Sequence, residues 1–318
     1  MQESNCYISM DDGCTIFVRR WKPDGTPKAV LQVVHGMAEH SERYREFAEF
    51  LCNQGIEVWA DDHRGHGATA RAISDPSRGG QLGHCADRNG FTRVVQDLIA
   101  ISKQIKQEYP RLPLILFGHS WGSFLAQAYI ENEKEGTLLS GCILSGTRGP
   151  GGPVIFLGAC LASLVAFFKG GRKFSPLLYS LSDGAYNVPF QPARTKFDWL
   201  SRDPERVDAY IRDPLCGFPC SAAFYRDLLW GLRAIHTPKA IQNIPSTLPV
   251  LIFAGASDPV GEMGKSPTRL VDAYKQAGIQ DLEFILYPEG RHEMINELNR
   301  TEVFHHLLSW INRHLETR

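Results

Sequence analysis

The sequence predicts an α/β protein: a doubly wound, mostly parallel sheet interrupted by a mainly helical insertion. Three observations predict it. Short apolar runs alternate with stretches of helical period up to Gly146. The alternation then lapses for roughly 95 residues, too long for a plain loop. It resumes at Leu248 and continues to the last helix. Strand-helix-strand units with short connections build a parallel sheet covered by helices on both faces.

From Ile8 to Trp21 two alternating runs flank Asp11-Asp12-Gly13, a hairpin signal. Ala29 to His35 is an apolar strand. In Ser41 to Gln54, Tyr44, Phe47, Ala48 and Leu51 fall at helical spacing, and Gly55 stops the helix. Ile56 to Ala60 is a strand. Phe91, Val94, Val95, Leu98, Ile101 and Ile105 mark a helix closed by Pro110. Leu112 to Phe117 is a strand, Phe124 to Ile130 a helix, and Leu138 to Ser145 a strand. Thr147 to Asn243 holds glycine clusters, prolines and amphipathic stretches without a clean buried strand. Leu248 to Ala254 and Leu282 to Tyr287 are strands separated by a helix over Pro267 to Ala277, and Glu302 to Leu315 is a terminal helix. The organisation is a core in two parts, 1–146 and 244–318, with an insertion at 147–243 and eight candidate strands.

Of the 318 residues, 43% are apolar and 22% charged, as in ordinary globular domains. The 34 basic and 35 acidic residues leave a net charge of −1, which gives no basic face for nucleic acid. The first residues lack the basic and apolar regions of a secretory leader, so a cytoplasmic location is expected. The longest apolar run, Val154 to Phe168, is 15 residues, shorter than the roughly 20 that span a bilayer. The eight cysteines are scattered in a large chain, which favours reduced thiols. Cys216 and Cys220 stand four apart, but no CxxC pair or second cluster completes a zinc site.

Gly118-His119-Ser120-Trp121-Gly122 is the single GxSxG in the chain. It follows the strand LPLILF and opens the helix SFLAQAYI. A sharp strand-to-helix turn there strains the serine backbone and exposes its hydroxyl at the carboxyl edge of the sheet. The helix N-terminus adds unpaired N–H groups for a developing oxyanion. The bland alternative is a glycine turn with a helix-capping serine. A nucleophilic serine needs a histidine base and a carboxylate to orient it, in the chain order Ser, Asp, His. Asp258 follows the strand LPVLIFAG, and His292 follows LEFILYP. All three therefore fall at carboxyl ends of strands. An Asp before Pro is commonly a turn residue, and a loop histidine is commonly solvated; their joint order and placement favour a triad. An Asp, as haloalkane or epoxide chemistry wants, does not stand at this elbow.

The oxyanion donors expected are the N–H of Trp121 and one from the loop His35-Gly36-Met37, with Met37 the candidate and core packing its alternative. His292-Glu293 lacks the second histidine of HExxH. His63 and His66, in DDHRGHG, have no cysteine or carboxylate completing a ligand set and read as a hydrogen-bonded structural loop. Neither metal nor organic cofactor is called for.

Taken together, HGMAEHSERY, DDHRGHG, GHSWGS, SDPVGEMG and YPEGRHEMINE resemble the monoacylglycerol lipase and lysophospholipase group of α/β-hydrolases, grouped also with serine aminopeptidase-like hydrolases. The matching blocks lie between about residue 29 and 130 and between 248 and 315. The resemblance implies the α/β-hydrolase fold, Ser120, Asp258 and His292 as catalytic triad, and Met37 and Trp121 as oxyanion donors. It also implies a cap formed by the insertion and a small acyl ester or lipid as substrate. The family often has Met where Trp121 stands, so this indole is expected to reshape the acyl pocket. An amidase or peptidase using the same triad is the second reading, and a catalytically silent binding protein on the same fold the third. Pro153 to Phe168, followed by Lys169, Arg172 and Lys173, reads as a membrane-docking or acyl-tunnel helix, or else as one packed between cap and core.

Overall fold

The computed structural model describes residues 1–315. Eight strands form one sheet: β1 (Gln2–Ser9), β2 (Thr15–Lys22), β3 (Ala29–Val34), β4 (Ile56–Asp61), β5 (Leu114–His119), β6 (Gly141–Ser145), β7 (Val250–Gly255) and β8 (Leu282–Tyr287). Their spatial order is β1-β2-β4-β3-β5-β6-β7-β8. β1 pairs antiparallel with β2, and β2 antiparallel with β4. The remaining pairings are parallel, in the registers Ala29↔Ile56, Val30↔Leu114, Ile115↔Gly141, Cys142↔Val250 and Val250↔Leu282. This is the α/β-hydrolase fold. The hairpin turn predicted at Asp11-Asp12-Gly13 is closed by Met10 N–H donating to the Cys14 carbonyl at 2.8 Å.

Every residue of β3, β4, β5, β6 and β7 is buried. Continuous apolar runs suit these strands because helices cover both faces of a parallel sheet. The labelled helices are α1 (Arg45–Cys52), α2 (Gly90–Glu108), α3 (Trp121–Ile130), α4 (Gly152–Lys169), α5 (Pro204–Arg212), α6 (Ala222–Ile235), α7 (Lys265–Gln276) and α8 (Arg300–Leu315). One face buries Phe47, Leu51, Phe304, Leu307 and Trp310 from α1 and α8 against Phe117, Ile143 and Phe253 of the sheet. The other face buries Val94, Leu98, Leu125 and Tyr129 from α2 and α3, together with Leu270 and Tyr274 from α7. The helix expected over Ser41–Gln54 opens as a 3₁₀ turn, Ser41–Tyr44, before α1.

Among the described residues, the stretch between β6 and β7 adds no strand to the sheet. It holds α4, α5 and α6, which stand beside the carboxyl ends of the strands. The small side of α4 packs on α6 through Ala159, Ala162, Val165 and Ala166. Its other side is exposed: Val154, Leu157, Leu164, Phe167 and Phe168 are each more than half accessible. Of the readings open for this helix, burial between cap and core is therefore not what the fold shows. All eight cysteines lie outside disulfides.

Candidate active site

The elbow at Ser120 follows from close packing. β5 ends at His119, and α3 begins at Trp121, so one residue must reverse the chain. Ser120 does so at φ 53°, ψ −123°, a conformation that costs a non-glycine residue about 1–3 kcal/mol. Its N–H donates to the Ser145 carbonyl at 2.9 Å, which anchors the turn to β6. The flanking glycines permit the turn. A Cβ on Gly122 would stand 2.1 Å from the Val34 carbonyl oxygen, and one on Gly118 would stand 2.5 Å from that of Gly122.

Asp258 and His292 are carried on the loops after β7 and β8. The two loops are laced together: Ser257 N–H donates to the Gly290 carbonyl and Ala256 N–H to that of Tyr287, both at 2.8 Å. The fold thus brings together the three residues that the sequence singles out. His292 Nε2 lies 2.7 Å from Ser120 Oγ. His292 Nδ1 lies 3.0 Å from each oxygen of Asp258. Asp258 is fully buried and also accepts from Val260 N–H at 2.9 Å. The imidazole is buried, which by itself would lower its pKa. The Asp258 carboxylate and its hydrogen bond, aided by Glu293 and Glu39, outweigh this and raise it above the ordinary 6.5.

Met37 and Trp121 both line the cavity above Ser120, beside Gly36, His119 and His292. Trp121 is the first residue of α3, where N–H groups have no intrahelical acceptor. Its indole is buried, stacked on His66 at a centroid distance of 5.2 Å and edge-on to Phe224 at 4.8 Å. The side chain that departs from the family pattern therefore forms part of the cavity wall and is wedged in place from behind.

His63 and His66 form the structural loop expected of them. His63 Nδ1 meets Asp61 at 2.5 Å, and His63 N–H donates to His35 Nε2 at 3.0 Å. His66 is held neutral by burial, its pKa lowered to about 3. Arg64 makes forked bonds to Asp97 and Asp12.

Sequence reasoning did not foresee a buried ionic cluster behind the site. Arg43 donates to Glu39 at 2.5 Å and to both oxygens of Glu293 at 2.7 and 2.6 Å. Glu39 in turn accepts from Gly36 N–H at 2.5 Å and from the Tyr44 hydroxyl at 3.0 Å. One guanidinium thus joins the Met37 loop to the residue after His292. The Glu293 carboxyl is held below the ordinary carboxylate range: burial alone would raise it, and Arg43 more than reverses that.

The acyl-tunnel reading of Pro153 to Phe168 is corrected. No residue of α4 lines the cavity; Tyr179, Phe197, Trp199, Tyr210, Phe218 and Leu228 of the insertion do. α4 packs on α6 one layer further out. Trp199 and Leu200 also tie the insertion to the catalytic loop. The Trp199 ring lies 5.1 Å from that of His292, and Glu293 N–H donates to the Leu200 carbonyl at 2.8 Å.

Comparison with known proteins agrees with this geometry. Residues 25–299 match the family model described as serine aminopeptidase, S33. The chain is 30% identical to a monoacylglycerol lipase of Mycolicibacterium smegmatis, with 95% of each chain covered. It is 29% identical to the monoglyceride lipase of Homo sapiens, covering 96% of this chain and 89% of that one. A thermostable carboxyl esterase from Bacillus coagulans, solved in complex with glycerol, superposes with a TM-score of 0.89 at 28% identity over 99% of both chains. The chain belongs to the serine aminopeptidase, S33, family of α/β-hydrolases and is a serine hydrolase of the monoglyceride lipase type.

Proposed function

We propose that the protein hydrolyses monoacyl esters of glycerol and related lipid esters through an acyl-enzyme on Ser120. The observation that carries this reading is Ser120 Oγ at 2.7 Å from His292 Nε2, beneath a largely aromatic cavity. His292 takes the Ser120 proton as the oxygen attacks the ester carbonyl. Asp258 holds the Nδ1–H tautomer and stabilises the imidazolium. The N–H groups of Met37 and Trp121 receive the oxyanion. His292 returns its proton to the leaving alcohol, and the same base then activates the water that releases the acid. Residues 147–243 serve as the cap whose aromatic side chains cover the acyl chain. The names of the relatives and the apolar walls support a lipid ester over a peptide.

A series of 1-monoacylglycerols and nitrophenyl esters of increasing chain length, run beside an amide panel, tests the substrate. Higher kcat/KM on medium or long acyl glycerols than on amides is expected. Amide rates above the ester rates would replace the reading with the amidase one.

The raised His292 pKa sets the sign of the pH dependence. The base works only when neutral, so activity is lost as pH falls through its pKa. The acid limb of kcat/KM is expected to have its midpoint above the roughly 6.5 of free imidazole. A midpoint below about 6 would contradict the arrangement.

The exposed strip of α4 supports docking of the cap on lipid. Val154, Leu157, Leu164, Phe167 and Phe168 face outward beside Lys169 and Lys173. Burying one such phenylalanine is worth about 1.5–3 kcal/mol, so Phe167→Ser should weaken binding to anionic vesicles roughly tenfold or more. Co-sedimentation with phosphatidylglycerol vesicles measures this, and unchanged partition removes the docking role.

A further inference from the structure

A second cluster of reactive side chains joins the insertion to the core away from Ser120. His40 closes the HGMAEH loop and precedes the turn Ser41–Tyr44. Asp213 and Cys216 lie in the turn after α5. That turn is held by Cys216 N–H donating to the Asp213 carbonyl at 3.0 Å and by Leu215 N–H donating to Asp213 Oδ1 at 2.8 Å. It presents a carboxylate and a thiol three residues apart to the same neighbour. His40 Nε2 lies 2.8 Å from Asp213 Oδ2. One ligand atom from each of His40, Asp213 and Cys216 falls within 4.8 Å of the other two. His40 and Cys216 are buried and Asp213 is partly exposed.

An imidazole nitrogen, a thiolate and a carboxylate make a donor set for Zn²⁺, whereas Mg²⁺ and Ca²⁺ prefer oxygen alone. Tetrahedral zinc with bonds of about 2.0–2.3 Å holds its ligands about 3.3–3.8 Å apart, so side-chain shifts of about 1 Å close the triangle. Asp213 and Cys216 also line an open groove with Glu42, Glu46, Arg206 and Asn296, through which the ion and a water ligand can enter. Arg43, whose charge acts on the thiol, is already paired with Glu39 and Glu293. No CxxC pair is needed, because the fold supplies the histidine from the far side of the sequence.

We propose that His40, Asp213 and Cys216 bind one zinc-like divalent cation that bridges the insertion to the loop carrying Met37. On binding, the Cys216 thiol gives its proton to solvent, the imidazole carries its proton on Nδ1, and the ion replaces the hydrogen bond between His40 and Asp213. The bridge would reinforce contacts already at this seam: Gly217 N–H and the Tyr210 hydroxyl donate to the Ala38 carbonyl at 2.9 and 3.0 Å. The proposal is independent of the chemistry at Ser120.

Cobalt(II) titrated into the reduced, metal-free full chain tests it, because a cobalt–thiolate bond has a near-ultraviolet charge-transfer band. The expected band saturates near one equivalent, disappears on adding zinc, and is absent in Cys216→Ser. In His40→Gln, saturation should require roughly tenfold or more cobalt. Zinc should also raise the Tm of the intact protein and not that of Cys216→Ser. The absence of a saturable band in the intact protein, or the same band in Cys216→Ser, overturns the proposal. Should Cys216→Ser fail to unfold cooperatively, His40→Gln and Asp213→Asn decide, and unchanged cobalt affinity in both overturns it.

Discussion

Ser120→Ala is expected to lower kcat for acyl esters on the order of 10⁶-fold while leaving the fold intact. In the proposed mechanism, removing Oγ removes the atom that carries the acyl group, and His292 is left with no proton to take. The residual rate, about 10³- to 10⁴-fold over water, would come from the oxyanion donors and the cavity. Oγ is hydrogen-bonded to His292 Nε2. Alanine also keeps the β-carbon that the elbow already accommodates at φ 53°. Stopped assays on a monoacylglycerol check the rate, and thermal unfolding checks the fold. A loss of less than about 100-fold, with the fold intact, would mean that another group performs the attack.

Arg43→Met is expected to be the most damaging single change outside Ser120, Asp258 and His292. It leaves the carboxylates of Glu39 and Glu293 buried without their shared cation; both are 3% exposed. Breaking a buried ion pair in this way costs about 3–5 kcal/mol of stability. Activity should fall as well, because Glu39 fixes Gly36 N–H and so the Met37 loop, and Glu293 fixes the chain next to His292. A misplacement of about 1 Å at such groups can cost about 100-fold in kcat. Arg43→Lys keeps the charge and loses the fork, so it should fall between Arg43→Met and the parent. Urea unfolding and kcat on the same preparations measure both effects. Stability within about 1 kcal/mol of the parent would show that the carboxylates find water or a proton instead.

The strands were legible because β3 to β7 are buried on both faces and so read as unbroken apolar runs, and the helices because α1, α2 and α8 have one buried side. β1 was legible only at its end. Its first residues, Gln2 to Asn5, are exposed on an edge strand and carry no apolar signal. Ser120, Asp258 and His292 could be placed together because each follows a recognisable strand. The network around Arg43 was not legible, since ion pairs between residues 250 apart in sequence have no local signature. The role of α4 stayed open for a related reason. Its composition is apolar almost all round, so nothing in it says which side packs on α6 and which meets solvent. The cluster at His40 was hidden likewise, its histidine and its aspartate standing 173 positions apart in sequence.

The central claim is that Ser120 carries the acyl group, and a covalent adduct tests it most directly. The full chain is treated with a fluorophosphonate ester, digested and mapped by mass spectrometry. One phosphonyl adduct is expected, on the peptide containing Gly118-His119-Ser120-Trp121-Gly122, with labelling slowed as pH falls and His292 takes up its proton. An adduct on any other residue, or labelling that persists in Ser120→Ala, would contradict it.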